Sequence, residues 1–165
     1  DRVLVQPAGV DAHIRSIRVF DRAIEVAVAG DAVTLELDRD VDVSRGDMII
    51  AQDNSSDLLT KQLIADICWL DQDALSTSRK YILRHTTNTV FTKVKNIIQI
   101  LDIETLSQAV EADSLGVNMI GRVELALQKP IAADLFDESL ATGSFVLIDE
   151  VTNHTVAAGM IREVL

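Results

Sequence analysis

Short apolar segments with strand-like alternation follow one another along nearly the whole chain, and this pattern constrains the fold more than any single motif. The segments are rich in Val, Ile, Thr and Leu, which favour β-strands. Turn-forming residues separate them at 7–9, 29–31, 44–47 and 142–144. Many short strands joined by such turns predict an all-β protein made of barrels or sandwiches. The predicted strands are 2–6, 13–20, 32–37, 47–51, 61–70, 79–85, 89–101, 117–128, 143–149 and 155–163.

The polar stretch QDNSSD, residues 52–57, is the best candidate for a boundary between two domains. We predict a first β-barrel domain over 1–53, a linker at 54–57 and a second domain over 58–165. The second domain is long enough for a six-stranded closed barrel. The first is too short to sustain a core unaided, so we expect an incomplete barrel. Only TLSQAVEADSL, residues 105–115, has helix-like spacing, which predicts one or two helical turns inside a loop.

The charge balance limits the classes of partner. The formal net charge is −11, which repels nucleic acid phosphates and anionic lipid unless a local basic patch overrides it. No such patch is visible along the sequence, because Lys93, Lys95 and the pair Arg79-Lys80 read as isolated cations. No apolar run reaches the ~18 residues of a membrane span. The sequence therefore predicts neither a nucleic acid nor a membrane partner.

Cysteine usage and the start of the chain bear on the cellular context. The single cysteine, Cys68, cannot form an internal disulfide, which favours a reducing cytoplasm. Its neighbours Ile67 and Trp69 predict a packed thiol rather than a reactive one. No signal peptide precedes the first strand. Since Asp1 leads directly into a strand-like run, we expect the chain to be a fragment of a longer protein.

The stretch LGVNMIGRVEL, residues 115–125, has the glycine spacing of a phosphate-binding loop. Such a loop requires a Lys and a Ser or Thr after its second glycine, to reach the phosphates and to hold Mg²⁺. Here Arg122 and Val123 follow Gly121. The run instead alternates as one strand, with Val117 and Met119 predicted on the same face as Val123. Gly121 on such a strand indicates a bulge or a close backbone approach.

No other motif predicts a catalytic or metal site in this chain. LDRDVDVSRGD, residues 37–47, begins like a calcium loop, but Val43 and Ile49 occupy the positions that need Gly and a carboxylate. The tripeptide at 45–47 is best explained as a turn before a strand. The histidines at 13, 85 and 154 lie far apart and lack ligand spacing, which disfavours a zinc site. We therefore predict no catalytic, cofactor-binding or metal-binding residue.

Two stretches resemble a known family. AVAGDAVTLEL…VDVSRGDMIIA, within 27–51, resembles the second domain of translation-type GTPases. KPIAADLFDESLATGSFVLIDEVTNHTVAAGMI, residues 129–161, shares the outline of elongation-factor third domains. The fuller string TGSFVLIDEVTNHTVAAGMI is more similar to the GTPase-type large subunits of bacterial sulfate adenylyltransferases. The resemblance covers essentially the whole chain and implies two β-barrels, the first incomplete.

The resemblance implies a function that the residues alone do not. In this family an N-terminal GTPase domain precedes the barrels, so GTP and Mg²⁺ would bind outside this chain. A smaller catalytic subunit makes adenylyl sulfate and pyrophosphate from ATP and sulfate, and GTP hydrolysis drives that reaction. The expected partners are the GTPase domain and the small subunit; whether an adenylylsulfate kinase domain is fused stays open. Candidate partner-contact residues, in loops expected to be exposed, are Arg84, His85, Asn88, Asn153 and His154.

Two other hypotheses remain open at this point. The chain could be the barrels of a translation elongation factor that bind aminoacyl-tRNA, although the absence of a basic patch weighs against it. It could also be a stand-alone β-barrel interaction module. That hypothesis requires residues 1–53 to close a complete barrel, and fewer than six strands with an open edge would argue against it.

Overall fold

The chain divides into two compact units, Asp1–Ser56 and Asp57–Leu165. The structure, a computed structural model, describes residues 1–52, 59–101, 108–109 and 114–165. The predicted linker at 54–57 lies outside the described residues. The described part of the chain is built from strands and turns, without an α-helix, so the prediction of an all-β fold is confirmed. It also contains no apolar helix that could span a bilayer.

The first unit is an open sheet of five strands. Hydrogen bonding orders them β3-β2-β1-β5, and β4 pairs with β2 on the side away from β3. Strand β1 joins β2 through a turn that ends at Gly9, whose φ of 69° suits a residue without Cβ. This unit is half of a barrel, which confirms the prediction that the first barrel is incomplete. Its strands are β1 (Arg2–Gln6), β2 (Val10–Val19), β3 (Arg22–Ile24), β4 (Thr34–Leu37) and β5 (Met48–Ala51).

The second unit is a closed barrel of six antiparallel strands. The strands follow one another in the order β10-β6-β12-β11-β7-β8, and β8 pairs with β10 to close the ring. The short β9 adds to the end of β8, where Ile100 faces Ala109. The strands are β6 (Leu59–Trp69), β7 (Tyr81–His85), β8 (Asn88–Leu101), β9 (Gln108–Ala109), β10 (Ile120–Ala132), β11 (Ser144–Asp149) and β12 (Thr155–Val164).

The barrel interior holds the core. Along β10, residues 123, 125 and 127 point inward and are buried, while their neighbours remain partly exposed, as the pleat requires. Trp69 and Tyr81 fill one end in an edge-to-face contact with ring centroids 5.7 Å apart. The Trp69 Nε1–H donates to the carbonyl oxygen of Asp73 at 2.7 Å, so the one polar atom of the indole is satisfied.

The structure corrects the prediction around residues 115–119. Gly116 and Met119 close a turn through a hydrogen bond of 3.1 Å, and Asn118 adopts a left-handed φ of 64°. Strand β10 therefore begins at Ile120, and Val117 and Met119 are exposed rather than in the core. Leu115, fully buried, takes the core position instead. The close approach predicted at Gly121 is confirmed, because a Cβ there would lie 2.8 Å from Leu115 Cδ1.

Three smaller predictions can be compared with the structure. The predicted turn at 44–47 is confirmed: Ser44 and Asp47 exchange two hydrogen bonds around Gly46, whose φ is 105°. Strand β3 was not predicted, since its three residues are too few for a periodic signal. The prediction of helical turns at 105–115 is wrong at 108–109, which form β9, and its remainder falls mostly outside the described residues.

Candidate functional site: an outward face of the barrel

The hairpin of β7 and β8 carries three of the predicted contact residues. His85 pairs with Asn88 across the turn, and Thr86 turns the chain with a φ of 51°. The His85 ring is 1% exposed, so the expectation that it lies in an exposed loop is wrong. Its Nε2 lies 2.6 Å from the carbonyl oxygen of Thr142, which can only accept, so Nε2 carries the proton. Arg84 is exposed.

The turn between β11 and β12 carries the other two. The carboxylate of Asp149 accepts hydrogen bonds from the backbone N–H groups of Val151 and Thr152, at 2.8 and 2.9 Å. These donors, that of Thr152 foremost, hold the pKa of Asp149 below its usual value. Asn153 completes the turn with a φ of 58°, and His154 follows it, both exposed. The local sequence thus builds a rigid turn with an exposed tip.

The two loops lie at opposite ends of the barrel. Strands β7 and β11 are antiparallel, with Arg84 opposite Val146 and Tyr81 opposite Asp149. The β11–β12 turn therefore lies beside the start of β7, whereas the β7–β8 turn lies beside the start of β11. The structure does not bring the five predicted residues together, so one partner cannot contact them all at one barrel end. Their role in partner contact stays a prediction.

An unpredicted cluster lies on the outward surface of β7, β8 and β11. Ile148 faces Ile82 across one strand pair, and Ile82 faces Phe91 across the next, which sets three apolar side chains in a row. Phe91 is 42% exposed, and both isoleucines are half-buried. Alternation places exposed cations on the same surface. We call this surface the Phe91 face and define it as Lys80, Ile82, Arg84, Phe91, Lys93 and Ile148.

Two adjoining depressions mark one side of the Phe91 face. The first, of about 210 Å³, is lined by Phe91, Ala126 and Leu127 together with Lys80 and Lys93. The second, of about 330 Å³, lies between the same two lysines and the β11–β12 turn, and its lining includes Arg79, Asp149 and Glu150. The shared lysines show that the depressions are neighbours. An apolar hollow therefore lies directly beside a charged one.

The Phe91 face corrects the expectation that the cations of this chain are isolated. Tyr81 pairs with Thr92, so Lys80 and Lys93, one residue outside that pair on each strand, lie side by side. Among the described residues neither lysine forms an ion pair. The signal was available in the sequence, because a tight turn at 86–87 fixes the register of its two strands. A count of charges along the chain could not reveal it.

A second cluster of charges lies on the opposite part of the barrel wall, across β10, β6 and β12. Asp66 accepts two hydrogen bonds from Arg122, at 2.7 and 3.0 Å, and one from Arg162 at 2.7 Å. Arg162 also donates to Asp137 at 3.0 Å. Burial acts to raise the pKa of Asp66, but the two arginines outweigh it, and the net pKa lies below the usual value. The cluster therefore joins three neighbouring strands through charge-assisted hydrogen bonds.

The remaining predicted sites can be placed as well. Gly121 pairs with Ile67 and Ile100 inside the sheet, so residues 115–125 do not form a phosphate-binding loop. Within the described ranges no three His, Cys, Asp or Glu side chains are close enough to hold a metal ion. His13 contacts Asp38 at 3.3 Å and is exposed. Cys68 is half-buried on the outward side of β6, between Ile120 and Ala158, rather than fully packed.

Comparison with known proteins shows which family the chain belongs to. The family model "GTP-eEF1A C-terminal domain-like" matches residues 62–162, which span the barrel, so the chain belongs to that family. Solved structures of Sup35 complexed with GMPPNP and with GDP superpose on the whole chain with a TM-score of 0.88. Their sequence identities are 24% and 25%, and the chain covers 40% of each. The predicted elongation-factor-like fold is confirmed.

Curated relatives are more similar in sequence. Sulfate adenylyltransferase subunit 1 of Shewanella woodyi is 36% identical over 162 residues, which are 98% of this chain and 34% of the relative. The bifunctional enzyme CysN/CysC of Mycobacterium tuberculosis is 38% identical over 162 residues, 98% of this chain and 26% of the relative. The chain thus spans about a third or less of the relatives that it matches. The similarity to the large subunits of sulfate adenylyltransferases, inferred from the motifs, is confirmed.

Proposed function

We propose that this chain is the C-terminal barrel region of the GTP-hydrolysing subunit of a sulfate adenylyltransferase. The observation that carries the proposal is the similarity to subunit 1 of that enzyme, 36% identity along 98% of the chain. This similarity continues through the open sheet and the barrel, whereas the family match covers residues 62–162 alone.

In this proposal the reaction takes place elsewhere in the parent protein. An N-terminal domain binds GTP and Mg²⁺, and a smaller cytoplasmic subunit forms adenylyl sulfate and pyrophosphate from ATP and sulfate. A kinase domain can be fused in this proposal, and a relative named as a bifunctional enzyme, CysN/CysC, fits such an arrangement. The barrel moves as a rigid body when the GTPase domain changes its nucleotide state. Coupling of this kind requires that each nucleotide state make different contacts with the barrel.

The test is to express the complete gene product together with the small sulfate adenylyltransferase subunit of the same organism. We expect the two to copurify, and adenylyl sulfate formation to rise when GTP is supplied. A matched variant that lacks residues 59–165 should still bind GTP but lose the GTP-dependent rise. Adenylyl sulfate formation that is the same with and without GTP in the intact protein would contradict the proposal.

The alternatives give different results in accessible assays. Barrels that bind aminoacyl-tRNA would retain labelled tRNA in filter binding at low salt, where phosphate contacts are strongest. The hypothesis of a stand-alone interaction module requires residues 1–53 to form a complete barrel. Residues 1–52 instead form five strands in an open sheet, with β3, β4 and β5 each paired on one side within the described residues. This observation weighs against a stand-alone module.

A further inference from the structure

We propose that the Phe91 face binds an acidic segment of a partner protein, and that one apolar side chain of that segment packs beside Phe91. The inference concerns a docking surface and the chemistry of its ligand. It does not depend on the proposed function, because it rests on the shape, exposure and charge of this surface alone.

Charge is the first argument. The whole chain has a formal net charge of −11, so most of its surface repels an acidic partner. The Phe91 face has the opposite sign, with Lys80, Arg84 and Lys93 exposed and without an ion pair among the described residues. Arg79, beside them, contacts Asp149 at 3.4 Å. An acidic segment would therefore be attracted to this face and repelled by most of the remaining surface.

The apolar row is the second argument. Interfaces typically combine a large apolar or aromatic anchor with a polar and charged rim. Phe91 is such an anchor, with Ile82 and Ile148 beside it and cations on both sides of the row. The hollow next to Phe91 measures about 210 Å³. Cavities of roughly 150 Å³ can hold benzene, so the hollow has room for one apolar side chain.

The same features distinguish a protein ligand from a nucleic acid. Proteins that bind single strands use several stacking aromatics and a continuous cationic track. The Phe91 face offers one aromatic ring, and the carboxylates of Asp149 and Glu150 border its lysines. The evenly spaced phosphates of a nucleic acid would bring some negative charges against those carboxylates. A short acidic segment can instead confine its charges to Lys80, Arg84 and Lys93. The observations therefore favour an acidic protein segment.

The experiment is an NMR titration of the isotope-labelled chain, which detects weak binding and locates it. The probe is a dodecapeptide of glutamates with one central leucine; matched probes carry serine in place of leucine, or glutamines in place of the glutamates. We expect the leucine–glutamate peptide to bind tightest. Its amide shifts should concentrate in β7, β8 and β11. An oligothymidylate of the same length serves as the nucleic acid probe.

Two variants test the two parts of the face, and a third is the control. K80E/K93E should weaken binding of the acidic peptide about tenfold, because two favourable charge contacts become repulsive. F91S should abolish the preference for leucine over serine while the serine peptide binds as before. R22E/K61E changes the net charge by the same amount at two exposed positions that are not part of the face, and should change affinity less than twofold.

Each outcome supports or overturns the inference. Shifts confined to the Phe91 face that disappear in K80E/K93E but persist in R22E/K61E support it. Shifts centred in residues 1–52, or no shifts at millimolar peptide, overturn it. Tighter binding of the oligothymidylate at the same residues also overturns it in favour of a nucleic acid site. Unchanged amide spectra away from the substituted positions show that each variant remains folded.

Discussion

The open sheet and the closed barrel use the same kind of strand but bury very different amounts of it. Of the described residues, three buried apolar side chains lie in the open sheet: Val3, Val5 and Ala12. Twenty-two lie in the barrel, and most of them form one continuous core. Within residues 1–52, Phe20 is 95% exposed, Val26 74% and Val28 67%.

The difference shows what closure contributes. In the barrel each of the six strands pairs on both sides and presents one face to a shared interior. In the open sheet the alternating residues of β4 are at most half-buried. Alternation in a sequence predicts a strand equally well in both cases. Only the closure of the sheet turns that alternation into a core.

The largest expected effect tests the barrel core directly. Leu125→Ala removes a fully buried side chain and should lower the free energy of unfolding by about 2–5 kcal/mol. Trp69 is the single tryptophan and lies in the barrel, so its fluorescence during denaturation reports this unit. The matched substitution in the open sheet is Leu35→Ala, at a half-buried position. It should lower the free energy of opening of β2 and β4, measured by hydrogen exchange, by about 1 kcal/mol. Equal losses at both positions would contradict the comparison.

A second prediction concerns a close approach inside the barrel. A Cβ on Gly159 would lie 2.3 Å from Phe145 Cζ, within a ring that is itself buried. Gly159→Ala should therefore cost about 3 kcal/mol, at the upper end of overpacking effects. Gly116→Ala, where the nearest atom is Met119 Sδ at 3.4 Å, is the matched control and should be nearly neutral. Phe145→Leu in the Gly159→Ala background should recover part of the loss, and a lack of recovery would count against the clash.

The charge cluster on the barrel wall gives a third prediction. Asp66→Asn leaves Arg122 and Arg162 without a buried anion, and should lower the free energy of unfolding by about 2 kcal/mol. The loss is smaller than for a fully buried pair because water reaches both arginines. The open sheet offers a control in Glu36→Gln, because the hydrogen bond of Glu36 with Ser16 and its ion pair with Arg18 are exposed to solvent, and little change is expected.

The same cluster predicts a pH dependence. The folded-state pKa of Asp66 lies below its ordinary value of 3.8, so the carboxylate stabilises the fold at any pH above that value. This contribution is lost as the pH falls from about 3.8 through the lower folded-state pKa. The difference in unfolding free energy between the wild type and Asp66→Asn should therefore shrink in that range. A difference that stays constant down to pH 2 would contradict the assignment.

The smallest effect is expected in the open sheet. Phe20 lies at the tip of the β2–β3 hairpin with a φ of 51°, a conformation that disfavours bulky residues. Phe20→Asn should stabilise the hairpin by up to about 1 kcal/mol, because asparagine tolerates left-handed backbone and no burial is lost. Hydrogen exchange in β2 and β3 should slow severalfold. Val26→Asn, which removes an exposed apolar side chain without that backbone strain, should leave the exchange rates unchanged.

Much of the fold was predictable because strand formation follows local alternation. The prediction placed β11 at 143–149, and the structure has it at Ser144–Asp149. The error at Val117 and Met119 arose because a turn can imitate the alternation of a strand, and only tertiary packing shows that Leu115 fills the core. The His85 ring was misplaced for a related reason: polarity suggested a loop, whereas a hydrogen bond to Thr142 allows its burial.

The Phe91 face was beyond the sequence analysis for a different reason. Its members come from three strands, and their proximity depends on the registers Ile148 with Ile82 and Ile82 with Phe91. The first of these joins residues far apart along the chain, which no local pattern encodes. Only the proximity of Lys80 and Lys93 could have been predicted from a local feature, the β7–β8 hairpin. A surface assembled from several strands of a barrel is therefore harder to predict from the sequence than the strands themselves.

The position of β6 in the ring has a consequence for how the chain folds during synthesis. This first strand of the barrel pairs with β10 and with β12, and Trp69 faces Ala157. Thr60 also donates a hydrogen bond to the carbonyl oxygen of Leu165, 105 residues away. The ring cannot close until its last strand has left the ribosome, and such non-local pairing is intrinsically slow. Until then the edge of β6 that pairs with β12 stays open, and the inward side chains of β6 lack a complete core to pack against.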